Sequence, residues 1–249
     1  MSAPAVPSHV AGSPLRAERV LLAGGIVMLT LLCWRYGLEH AGAAMVVHSP
    51  GLAAAIPMWA VMTCGMMLPA AAPMLLTYER VSARTPRGHR LRTLLFAGAY
   101  LALWVGVSVA GAAAQAGLHA LGLLSHLGAS TRPLLSGALL LAAGAYQLSP
   151  LKQVCLHRCR TPMGFVLTEW EPGPRGALAM GLRHGLTCVL CCWALMALMF
   201  VLGTMNLLWM GALAALMLAE KALPAGRRLG LAAGWAFVAW AGWVLATPG

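Results

Sequence analysis

Apolar residues run along this chain in long blocks, each broken by a short cluster of basic, glycine or proline residues. A helix needs about 20 mostly apolar residues to cross the hydrocarbon core of a bilayer. The blocks predict spans over roughly 20–38, 52–77, 93–116, 134–149, 178–202, 205–219 and 229–247. The fourth and sixth are short, and if either does not cross, the count falls to six. Lysine and arginine positions test the map independently, because cytoplasmic segments of membrane proteins collect them. With the N-terminus inside, 15 of the 17 basic residues fall in cytoplasmic segments, and only Arg35 and Arg132 do not. The pattern predicts an all-α, polytopic transmembrane helix bundle, N-in/C-out. It has a cytoplasmic N-terminal tail over 1–19, one transmembrane helical domain over 20–249, and a cytoplasmic cysteine-containing loop over 150–177. The first span has the basic lead of a signal peptide and small residues from Ala41 to Ala44. Glu18 and the length of the apolar run favour an uncleaved anchor.

Composition agrees and excludes other classes. Hydrophobic residues make up 60% and charged residues 9% of the chain, against about 25% charged in an ordinary soluble domain. A water-soluble enzyme, a nucleic-acid-binding domain and a disordered chain are thereby excluded. The net charge of +11 is mainly a record of topology. There is no phosphate-cradling glycine-rich loop and no Asp for a phosphoenzyme. Cys-x2-Cys-His, the haem-attachment spacing, is absent as well.

What remains inside the spans is soft-ligand chemistry. In the fifth span His184, Cys188, Cys192, Met196 and Met199 recur at steps of four, four, four and three, near one helical stripe, with Cys191 beside it. The stripe is about 22 Å long at 1.5 Å per residue. Thiolate and thioether ligands select Cu(I), and thiolate with imidazole also suits Zn(II). Neutral thioethers avoid burying charge in lipid, which favours copper. In the second span Met58, Met62 and Met66 share a face, with Cys64 and Met67 nearby and Pro69 and Pro73 following. Methionine is also a flexible core filler, and that stripe taken alone reads as packing. The fourth loop carries Cys155, His157 and Cys159, a candidate loading site at the cytoplasmic mouth, with Cys155 and Cys159 on one face if the segment is helical. Cys33 and Cys64, each taken singly, read as structural. Glu79 and Glu220 end descending spans and are expected to pair with basic residues.

The run Met62 to Pro73, containing Met66-Met67-Leu68-Pro69, resembles the signature of a bacterial family of predicted metal-binding integral membrane proteins of unknown function. A second block is more specific. It comprises Tyr146 to Lys152, Cys155 to Cys159, Gly181 to Gly185, Cys188, Cys191-Cys192-Trp193, Met196, Gly203, Met205-Asn206 and Glu220-Lys221. The resemblance covers about residue 50 to the C-terminus. It implies metal binding, with no settled activity, in a multi-pass protein of the bacterial inner membrane.

Three functions compete. The first is binding and transfer or transport of a soft metal, copper before zinc, with a metallochaperone or metalloprotein as partner. Its membrane site comprises His184, Cys188, Cys191, Cys192 and Met196, opposed by Met58, Met62 and Met66. The second is a membrane thiol-disulfide oxidoreductase built on Cys188-x2-Cys191. The third is a non-catalytic assembly subunit of a membrane metalloenzyme. No catalytic residue is identified. A bundle of this size can act alone or as a homo-oligomer.

Overall fold

The computed structural model describes residues 13–43, 51–84, 88–125, 128–204 and 206–247. Most of the expected N-terminal tail (residues 1–12), Ala44 and Met205 lie outside them. The described residues are helical, apart from short connections and one isolated bridge between Leu124 and Ser130. In chain order the helices are α1 (Ser13–Ala43), α2 (Leu52–Ser82), α3 (His89–Ala120), α4 (Pro133–Leu148), α5 (Pro150–Arg160), α6 (Pro162–Thr168), α7 (Gly173–Ala197), α8 (Met199–Leu202), α9 (Leu207–Ala222) and α10 (Gly226–Ala246).

Five stretches are long and apolar enough to cross a membrane: α1, α2, α3, α7 continued by α8, and α10. The pair α4–α5 makes a sixth if its two parts are one span, although they meet at 64°. The chain turns there for a local reason. Pro150 starts α5, where its missing N–H is not needed, and the Ser149 hydroxyl caps it by accepting from the Lys152 N–H at 3.2 Å. The segment expected as a cytoplasmic loop is therefore two short helices. Of these α5 lies against α7 and α9, and α6 against α2. The expected sixth span is the 16-residue α9, about 24 Å at 1.5 Å per residue and shorter than a typical hydrocarbon core of about 30 Å.

Helix α7 is the hub: 67% of its apolar stretch is buried, against 6% of α1 on the periphery. Small residues bring the neighbours close. A Cβ on Gly181 would lie 2.4 Å from the Phe96 carbonyl oxygen of α3, and one on Gly144 of α4 would lie 2.9 Å from the Gly234 oxygen of α10. Polar side chains stitch α2 to α3, with Trp59 Nε1 donating to Gln115 Oε1 at 2.7 Å and Ser108 Oγ to Thr63 Oγ1 at 3.2 Å. In α2, Pro69 has no N–H for the carbonyl of Gly65 four residues back. The Trp34 indole of α1 donates to that oxygen at 3.2 Å instead.

Candidate metal centre

Cys188, Cys191 and Cys192 sit at i, i+3 and i+4 of α7, so helical periodicity alone puts their thiols on one face. That face points inward, and all three are about 1% exposed. Their sulfur atoms lie within 4.8 Å of one another. Three sulfurs bonded at about 2.3 Å to one ion stand about 4 Å apart, so small side-chain movements complete a trigonal site. The Cys191 and Cys192 thiols both donate to the Cys188 carbonyl oxygen, at 3.1 and 3.0 Å. These bonds hold them in place without a metal.

Four other helices supply the surround. From α5, Cys159 places its sulfur 3.8 Å from that of Cys191. From α2, the Met67 thioether is 3.9 Å from the Cys192 sulfur. From α3, the Tyr100 hydroxyl is 3.4 Å from the Cys188 sulfur and donates to the Met67 carbonyl at 3.3 Å. From α9, Lys221 brings its ammonium to 3.0 Å from the Cys188 sulfur. A thiolate–Cu(I) unit carries net negative charge once more than one thiol is deprotonated, and a low-dielectric interior penalises it. The Lys221 charge would offset that penalty at the sulfur itself.

One turn before Cys188, His184 is buried and stacks on Tyr100 (ring centroids 5.6 Å apart) and Phe96 (6.1 Å), with Phe165 edge-on at 5.7 Å. Its Nε2 is buried and has no hydrogen-bond partner. A buried nitrogen left unpaired this way is costly and is free to serve as a ligand, although it lies outside the group of mutually close sulfurs.

The candidates from the sequence separate as follows. The two sites expected at the mouth and in the membrane meet, because Cys159 touches Cys191. Cys155 is buried on the same face of α5. His157, two residues from either cysteine, points outward and lines a surface cavity with Gln153, Val154, Arg158 and Arg227. Met196 is buried one turn beyond Cys192. On α2, Met58 is half-buried while Met62 and Met66 are buried. The thioether against the thiols is that of Met67. Tyr100 carries no mark in the sequence, and Lys221 stands out only in the Glu220-Lys221 pair of the family resemblance, not as a site residue. A cation closing an apolar helix reads as a topology marker, and no local signal separates a lysine that turns inward.

A second polar centre lies below the thiols. Lys152 of α5 and Glu220 of α9 are 0% and 2% exposed and pair at 2.7 Å. Gln147 of α4 donates to the other Glu220 oxygen at 2.5 Å. Glycine makes room for it: a Cβ on Gly230 of α10 would stand 3.0 Å from Glu220 Oε1. Glu79 pairs with Arg19 of α1 at 2.9 Å. Both carboxylates are thus paired with cations, Glu220 in a buried network and Glu79 with a half-buried arginine.

Fold and site together define a class: an apolar helical protein with a buried three-thiol centre fit for a soft metal. Over residues 56–244 the chain matches the family model described as PpoB2: Copper chaperone. The match spans well over half the chain, and the protein belongs to that copper chaperone family. No curated protein and no solved structure matches it.

Proposed function

We propose that this protein is a multi-pass protein of the bacterial inner membrane that binds Cu(I) at Cys188, Cys191 and Cys192 and hands it to a metalloprotein partner. The observation that carries this reading is the buried cluster of three mutually close thiols in a copper chaperone family member. Cys159 and Met67 border the cluster and serve as exchange ligands, His184 Nε2 is a further donor in reserve, and Lys221 balances charge. Thioethers are neutral and bind Cu(I) without a proton to lose, so a thioether can add to a thiolate-bound ion during ligand exchange without changing the charge of the unit. The fifteen basic residues on one side of the map support an N-in, C-out arrangement of seven spans, with α4 and α9 as the short ones.

The test is metal content. Protein purified in detergent under reducing, anaerobic conditions is loaded with Cu(I), and copper and zinc are measured beside a Cys188→Ser/Cys191→Ser/Cys192→Ser variant. The variant is expected to lose one copper equivalent. Equal metal in both proteins would overturn the assignment of these thiols.

A further inference from the structure

Two more thiols meet where α1 crosses α2. Cys33 and Cys64 are both half-buried and free, and each thiol is within interaction range of the other. Three features hold the crossing at this point. Gly65 lets the backbones approach, since a Cβ there would stand 3.1 Å from the Cβ of Cys33. Pro69 frees the Gly65 carbonyl from its helix bond. Trp34, the neighbour of Cys33, donates to that carbonyl at 3.2 Å. The register of α1 on α2 is therefore pinned within one residue of both cysteines.

The pair also stands in line with the cluster. Cys64 precedes Met67 by three residues on α2, one turn along the same side, and Met67 touches Cys192. Sulfur atoms thus run across the bundle from Cys33 and Cys64 through Met67 to Cys192 and Cys191 and on to Cys159. Residue 33 lies outside the stretch matched by the copper chaperone family, 56–244.

We infer that Cys33 and Cys64 form a second Cu(I) site, an entry or exit station from which the ion passes by way of Met67 to or from the three-thiol cluster. This rests on the Cu(I) reading of that cluster. Two thiols are a complete ligand set for two-coordinate Cu(I). Binding one ion releases one proton and leaves one thiolate and one neutral thiol around the metal. The unit is then uncharged, the form that the membrane interior tolerates best. Copper stays Cu(I) throughout and no electron moves; each transfer breaks one Cu–S bond and makes another.

The experiment is an anaerobic Cu(I) titration of the full-length protein in detergent against the chromogenic chelator bicinchoninate. Four proteins are compared: the wild type, Cys33→Ser/Cys64→Ser, the Cys188/Cys191/Cys192 triple serine variant, and Cys33→Ala alone, a small change on the peripheral α1. Wild type is expected to hold two equivalents, and each of the variants one. X-ray absorption on the copper-loaded triple variant is expected to show two sulfur neighbours. If Cys33→Ser/Cys64→Ser and Cys33→Ala bind as much copper as wild type, or the triple variant binds none, the second site is overturned while the cluster stands. If instead the triple variant binds as much as wild type, it is the cluster that falls.

Discussion

Lys221 stands 3.0 Å from the Cys188 sulfur, and at the scale of single residues it is the sharpest test of the centre. A hydrogen bond to a charged group contributes about 1.5–3 kcal/mol. Lys221→Met is therefore expected to weaken Cu(I) binding at the cluster by about tenfold or more, without changing the number of ions bound, in a chelator competition. Met67→Leu keeps the volume but removes the thioether. It is expected to leave the stoichiometry intact and to slow copper release to a chelator, measured by stopped flow. Legibility at this scale follows distance along the chain. Cys188, Cys191 and Cys192 are readable because the turn of one helix places them together. The same turn sends His157 to the opposite face from Cys155 and Cys159. That Met67 rather than Met66 meets Cys192 depends on how α2 is rotated against α7, and nothing within α2 sets that angle.

Among the elements, the join that matters most is α5 to α9. The Lys152–Glu220 pair is buried and ties the helix that carries Cys159 to the helix that carries Lys221. Removing one member of such a pair leaves an unpaired buried charge and costs about 3–5 kcal/mol. Lys152→Met and Glu220→Met are each expected to lower the unfolding midpoint in detergent strongly, whereas the double variant recovers most of the loss. A double variant no better than the singles would show that the pair is not the unit. The α3–α7 contact gives a second test. Gly181→Ala puts a methyl group 2.4 Å from the Phe96 carbonyl oxygen, and overpacking of this kind costs about 1–3 kcal/mol. Circular dichroism on heating is expected to show a lower midpoint for it, while Gly98→Ala on α3, where a Cβ meets nothing within 4 Å, should behave as wild type. The Gly181-x3-Gly185 and Gly230-x3-Gly234 spacings are visible in the chain, but 28 glycines make such spacings common by chance. Only the packing shows which of them meet a neighbour.

For the whole molecule, the proposed seven-span, N-in/C-out arrangement makes a direct prediction. Alkaline phosphatase fused after Gly249 is expected to be active and a green fluorescent protein fused there dark. The reverse result would mean that α4 or α9, each of 16 residues, does not cross. The long apolar blocks by themselves determined an all-helical molecule with several helices fit to span a membrane, because apolar length and helical periodicity are local properties of the chain. They determined likewise that three thiols share one face of α7. Tertiary structure alone decided that Cys159 meets Cys191, that Lys152 and Lys221 turn inward, and that Cys33 finds Cys64. These are contacts between helices far apart in the chain. Each depends on the rotation and depth of one helix against another, which shape, glycine clearance and buried charge pairing settle together only when the bundle is packed.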